Sequence, residues 1–316
     1  MDEKRRRKMI RKDLSSWGWA LVIYYVLMSV SVTVAMLLQM LADWFVQFSS
    51  GNIYASPAID IYNGWGYLLA CALAVVFIRI WKGRDFFQGM WKTEGEMKPG
   101  SFFQILCVFI SGQMVFQICA TIQEMVLNSF GLSALEAMEQ ATGGNESLSM
   151  FLYLALGAPI VEEIIFRGAI LRGLEKYGKR FAILISALLF GLFHGNIIQS
   201  PYAFVVGLVL GYVAMEYSIY WAMVLHMINN LFLGDTLGRL TSGLGETGSA
   251  AVQATVIWVC SLGAVISMVR NRRKILAYHR DNKLDWSCMG PFATAPGMLV
   301  LIVLMEFSAV SMLFLI

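Results

Sequence analysis

The chain of 316 residues is 58% hydrophobic and only 14% charged, with a formal net charge of +3 and a mean hydropathy of +0.65. That balance excludes an ordinary soluble domain and a disordered polar chain, and it suits a protein embedded in lipid. Apolar windows long enough to cross a bilayer recur along the whole length. The expected fold is therefore all-α, a polytopic transmembrane bundle of about nine helices with a four-helix core.

Lys and Arg fall into four clusters, at 4–12, 82–98, 172–180 and 270–283, with seven, four, four and six of them. Between the clusters stand only Arg79, Arg167 and Arg239. Placing all four on one side satisfies the positive-inside rule and makes a nucleic-acid interface unnecessary. The predicted spans in chain order are 17–45, 64–81, 102–127, 150–171, 181–194, 202–216, 219–234, 251–269 and 291–316. The first run is too long for the apolar region of a signal peptide and reads as a retained signal anchor. This gives a multi-pass membrane protein with a cytoplasmic N-terminus and an outer C-terminus.

Three units are expected. Residues 1–149 hold the basic tail and three framing helices, and 150–234 hold the core, where spans are short and most buried polar residues fall. Residues 235–316 hold an outer loop and a C-terminal helix pair. Gly207 and Gly211 in the sixth span form a small-xxx-small face for close helix approach. Cys71, Cys107, Cys119 and Cys260 lie in spans and Cys288 on the inner side, which favours no disulfide, and no CxxC spacing suggests zinc. The single sequon, Asn145-Glu-Ser147, lies on an outer loop. Glu124, Glu216 and Glu306 read as interfacial or locally paired, and His279 as solvated.

The chemistry concentrates in the core. The segment Ala158-Pro-Ile-Val-Glu-Glu-Ile-Ile-Phe-Arg-Gly168 puts Glu162, Glu163 and Arg167 in an otherwise apolar helix, where ionisable groups are costly and placed for a purpose. Glu163 and Arg167 are four residues apart and can pair along their helix, whereas Glu162 points about 100° away. Phe190 and His194 share one face of the fifth span, and His226 and Asn230 share one face of the seventh. At a rise of roughly 1.5 Å per residue, Glu162, His194 and His226 lie about 15, 20 and 10 Å from the inner ends of their spans, so they can meet around one cavity. Pro159 is expected to break or kink the helix ahead of the carboxylates and free polar backbone there.

A carboxylate in a low-dielectric pocket has its pKa pushed upward, toward the range of a general base. Glu162 beside an imidazole can deprotonate water, while a second imidazole and the Asn230 amide donate to an oxyanion. HExxH and GxSxG motifs are missing, and Asp235, next to Gly234, has no second matching aspartate for an aspartyl dyad. A metal site from Glu162, His194 and His226 is chemically possible, but the spacing does not demand one.

Glu162-Glu163-x-x-x-Arg167, Phe190-x-x-x-His194 and His226-x-x-x-Asn230, in that order on successive spans, resemble the three motifs of the CPBP intramembrane glutamic endopeptidases. These include the type II CAAX prenyl endopeptidases and bacterial bacteriocin-processing and self-immunity proteins. The resemblance covers 150–234, about a quarter of the chain. It implies an intramembrane protease core with Glu162 and His194 activating water and His226 and Asn230 forming the oxyanion hole. Glu163, Arg167 and Phe190 support this set. It further implies no cofactor, no metal and a bacterial plasma membrane, with a peptide or protein substrate that is lipid-anchored or bacteriocin-like. The CAAX label itself is not carried over as a substrate. Two rivals stay open. A non-catalytic immunity or binding protein would keep the fold without the chemistry. A proton-coupled transporter would need a polar pathway and inverted repeats.

Overall fold

The structure, a computed structural model, describes residues 3–52, 61–135, 137, 147–231 and 237–315. Asn145 of the sequon and Asp235 lie outside the described residues. Over the described residues each of the nine predicted apolar segments is helical for most of its length. We label these α1 Glu3–Ser50, α2 Ile61–Lys82, α3 Pro99–Ser129, α4 Leu148–Tyr177, α5 Lys179–Phe193, α6 Gln199–Glu216, α7 Ile219–Ile228, α8 Gly245–Asp281 and α9 Pro296–Ser311. Five of them (α1 to α4 and α8) are long and apolar enough to cross a bilayer, and a bent pair ending in α9 makes a sixth. α5, α6 and α7 have 15, 18 and 10 residues. They form the short core.

Exposed side chains such as Leu41, Trp44, Phe45, Phe48, Trp258, Val259, Leu262 and Phe307 give the bundle an apolar outer surface of the kind that lipid covers. The protein is an integral membrane protein of the all-α class. Among the described residues the strand pairing is confined to a two-residue antiparallel match of Leu132–Ser133 with Phe314–Leu315. α1 has 48 residues and so runs about 72 Å, well beyond the hydrocarbon core, carrying its basic start outside the bilayer.

All four basic clusters meet at one end of the bundle. Arg6 pairs with Asp285, and Lys176 reaches Asp13 at 2.6 Å. Arg172 reaches Glu94 at 3.1 Å, Lys179 reaches Glu216 at 2.9 Å, and Arg180 donates to the His279 carbonyl at 3.4 Å. The Ser287 hydroxyl and the Arg6 guanidinium hold the exposed Asp285 carboxyl well below the usual carboxylate range, so it stays ionised at neutral pH. Lys82 lies over Trp17 and Trp81, 4.0 and 3.6 Å from their rings, as interfacial aromatic and basic residues do. Glu124 accepts from the Ser133 hydroxyl and the Ala134 amide, and Glu216 from Lys179 and Tyr278, so both are locally paired as expected.

Two expectations about the C-terminal end are corrected. The last span is not one helix: the segment Trp286–Thr294 and α9 meet at 70°, because Pro296 has no N–H to continue the preceding turn. Nor do α8 and α9 stay together as a pair. α8 packs chiefly on α3, whereas α9 packs on α1. The α1–α9 crossing depends on Gly18 and Gly297: a Cβ on Gly18 would lie 2.3 Å from the Gly297 carbonyl carbon, and one on Gly297 would lie 2.1 Å from the Ser15 carbonyl oxygen. The Ser15 hydroxyl accepts from the Gly297 amide at 3.0 Å, satisfying a donor that the first turn of α9 leaves open. Forcing these backbones apart costs about 1–3 kcal/mol. Gly18→Val is expected to lower the unfolding midpoint in detergent, followed with a thiol-reactive dye on the buried cysteines. Gly100→Ala, where a Cβ meets nothing within 4 Å, should leave the midpoint unchanged.

Candidate functional site

The site is built on α4, whose backbone is not a regular α-helix. It widens into π-helical turns over Tyr153–Gly157 and again over Glu163–Leu171, with an α-helical stretch Ala158–Glu162 between them. In the first wide turn the Ala158 amide donates to the Tyr153 carbonyl, five residues back. The next bond in that register would run from residue 159 to the Leu154 carbonyl, but Pro159 has no N–H to give. The Leu154 carbonyl is thus left open, and the Asn230 Nδ2 donates to it at 3.0 Å. Pro159 frees backbone at membrane depth, and a side chain of the π turn that follows α7 uses it. In the second wide turn the Phe166 carbonyl accepts from the Ser186 hydroxyl of α5 at 2.8 Å.

Glu163 and Arg167 both have fully buried side chains and pair at 3.0 Å, Arg167 Nη1 donating to Glu163 Oε1. The guanidinium also donates through Nη2 to the Gly207 carbonyl at 3.2 Å and lies 4.2 Å from the centre of the Phe190 ring. Gly207 therefore does more than allow close packing. It presents a carbonyl to Arg167, and a Cβ there would lie 3.3 Å from Nη2 and 3.2 Å from the Ala187 Cβ.

The same Glu163 Oε1 accepts from His226 Nδ1 at 2.9 Å. This bond assigns the hydrogen to Nδ1 and leaves Nε2 facing the Glu162 Oε2 at 3.7 Å. Glu163 is consequently not confined to its ion pair with Arg167, as its spacing alone suggested; it also orients a histidine of α7. The two carboxylates differ in access as well, since the Glu162 side chain is 20% exposed and that of Glu163 is 0% exposed.

His194 ends α5. Its Nδ1 donates to the Phe190 carbonyl at 2.7 Å, which leaves the Nε2 lone pair free to accept. Gly195 follows with φ +54°, the left-handed conformation that lets the chain leave the helix there. The Phe190 ring meets His194 edge to face at 4.8 Å and His226 at 5.7 Å, so one aromatic ring separates and braces both imidazoles. The Glu162 carboxylate lies within electrostatic reach of His194, Tyr24, Tyr153 and Cys71.

The structure thus brings Glu162, Glu163, Arg167, Phe190, His194 and His226 into one cluster. It places Asn230 one helical turn beyond His226, bonded to α4. Among the described residues no three His, Cys, Asp or Glu side chains converge as metal ligands do. Sequence reading missed Tyr24 and Tyr153, which come from a framing helix and the first wide turn. It also missed the carbonyls of Leu154 and Gly207. Only Pro159 signalled one of these, by withholding the amide that would have used Leu154.

An all-α membrane protein with a carboxylate–imidazole centre buried between short helices is the class that this fold and site define. Residues 144–232, which take in α4 to α7, match a family profile described as "Type II CAAX prenyl endopeptidase Rce1-like", and the match supports the resemblance that the motifs carry. The matched stretch contains all three motifs that carry the resemblance. No curated protein and no solved structure matches the chain.

Removing one partner of a buried ion pair leaves a charge without compensation and costs about 3–5 kcal/mol. Arg167→Met is expected to lower the unfolding midpoint in detergent sharply. The double variant Glu163→Gln, Arg167→Met should recover part of the loss, because no uncompensated carboxylate remains. A double variant less stable than Arg167→Met alone would show that Glu163 does not need Arg167.

Proposed function

We propose that the protein is an intramembrane endopeptidase that hydrolyses a peptide bond in a membrane-held peptide or protein, using water activated by Glu162 and His194. The observation that carries this reading is the asymmetry of the carboxylates around His226. Glu163 is buried on Nδ1, and the accessible Glu162 faces Nε2 at 3.7 Å. One carboxylate orients the imidazole and the other is left for chemistry.

In this reading a water molecule donates to the Glu162 carboxylate and to the His194 Nε2 lone pair. Glu162 takes one proton, and the hydroxide adds to the scissile carbonyl carbon. The carbonyl π electrons move to oxygen, giving a tetrahedral oxyanion. When His226 Nε2 carries a proton, that N–H donates to the oxyanion, and the oxyanion and Glu163 together balance the ring and Arg167. Asn230 has spent one Nδ2 hydrogen on Leu154 and supplies the second. As the carbonyl re-forms, the C–N bond breaks and the proton held by Glu162 passes to the leaving amine, restoring the carboxylate.

The matched family is described as prenyl endopeptidases, which supports a substrate presented at the membrane by a lipid anchor or an apolar segment. The convergence of the four basic clusters supports a single cytoplasmic face, with the N-terminus inside. Glu162→Gln is expected to abolish cleavage of quenched fluorescent peptides by the protein in detergent or liposomes while its unfolding midpoint is retained. His194→Ala should lower turnover by at least about a hundredfold. Undiminished turnover in Glu162→Gln would sink the mechanism, and tolerance of both changes in a biological assay would favour a non-catalytic binding role.

A further inference from the structure

The amide of Asn230 can face the site in two ways, with nitrogen or with oxygen, and only the first stabilises an oxyanion. Three polar side chains outside the recognised motifs decide between them. Asn229 Nδ2 donates to Asn230 Oδ1 at 3.1 Å. Asn229 is held in turn by its own oxygen, which accepts from the Tyr202 hydroxyl at 2.6 Å and from Gln113 Nε2 at 3.1 Å. Gln113 Nε2 also donates to the Tyr202 hydroxyl at 2.7 Å. Both Gln113 amide hydrogens, both Asn229 oxygen lone pairs and the Tyr202 hydroxyl as donor and acceptor are thereby used.

The chain of bonds has one direction. With two donors on its oxygen, Asn229 must present nitrogen to Asn230. Turning the Asn230 amide over would then set nitrogen against the Asn229 nitrogen and oxygen against the Leu154 carbonyl. Each end of the amide meets a partner of its own kind in that orientation, at membrane depth where water does not compensate. Tyr202 is buried and its ring packs on Phe116 at 5.4 Å, so the hydroxyl that anchors the chain is itself fixed.

We propose that Gln113 of α3, Tyr202 of α6 and Asn229 of the π turn after α7 are positioning residues that lock the Asn230 amide with its N–H toward the reacting carbonyl. This rests on the endopeptidase reading, and it draws α3, a framing helix in sequence, into the catalytic apparatus. The relay acts on the oxyanion and not on substrate binding, so its loss falls on kcat.

The test uses the full-length protein and a quenched fluorescent peptide that the native protein cleaves, selected from a library. Tyr202→Phe keeps the ring packing and removes only the hydroxyl. Asn229→Leu keeps the approximate volume and removes the donor to Asn230. Each is expected to lower kcat about tenfold or more, with KM within about twofold of native, since loss of a whole oxyanion donor costs about a hundredfold or more. Asn230→Ala should lower kcat further, and adding Asn229→Leu or Tyr202→Phe to it should change nothing more, because the group being positioned is gone. Unfolding midpoints are measured alongside, and if Asn229→Leu fails to fold, the Tyr202→Phe comparisons decide. Native kcat in Tyr202→Phe and in any folded Asn229→Leu, or losses that multiply with that of Asn230→Ala, would overturn the relay. Glu162→Gln run in parallel separates the two claims: if it is inactive while the relay variants keep full kcat, only the relay fails. If Glu162→Gln stays active, or the native protein cleaves no peptide, the endopeptidase reading fails and the relay falls with it.

Discussion

One carboxylate oxygen, Glu163 Oε1, accepts from Arg167 on its own helix and from His226 on α7, and the geometry of the site follows from that shared position. The oxygen has no exposure to solvent, so each donor must stay in place to keep the charge compensated. Arg167, so fixed, lies against the Phe190 ring and donates to the Gly207 carbonyl, tying α4 to α5 and α6. His226, so fixed, has its hydrogen on Nδ1 and its second nitrogen facing Glu162. A single buried anion thus sets one tautomer, one aromatic brace and one glycine. It does this without solvent access of its own, which leaves Glu162 as the more accessible of the two carboxylates.

Around this anion the helices are short and their backbones irregular, and the two properties are related. A helix that fills its own hydrogen bonds offers no polar backbone to its neighbours. The wide turns of α4 and Pro159 present carbonyls that Asn230 and Ser186 take up, so α4 is joined to the turn after α7 and to α5 by hydrogen bonds as well as by packing. The long helices bury few of their own side chains and face lipid over much of their surface. They supply the frame, with Tyr24 of α1 and Gln113 of α3 reaching inward from it.

Much of this is legible in the sequence. Hydropathy located the helices, the break ahead of Pro296 excepted, because a membrane-buried backbone has little choice but to be helical. The four basic clusters indicated a common face, and they do converge. The i,i+4 spacing of Glu163 and Arg167 indicated their pairing, since neighbours within a helix are fixed by its period. The contacts that sequence could not supply all run between helices. The Gly18–Gly297 crossing takes α9 away from α8, although the two are consecutive in the chain. The hydrogen bond from His226 to Glu163, the Gly207 carbonyl on Arg167 and the Tyr202–Gln113–Asn229 chain join residues tens of positions apart that share no periodic relation.

The sequence by itself determined that the chain is a helical membrane protein, that its polar residues gather in the 150–234 stretch and that Glu163 has an arginine within reach. These are consequences of local period and of the cost of exposing polar backbone to lipid. Tertiary structure alone decided which imidazole meets which carboxylate and which carboxylate remains accessible. It also decided which end of the Asn230 amide is held against its neighbours. Those choices depend on the rotation and depth of each helix against the others, which side-chain packing sets and no single helix encodes.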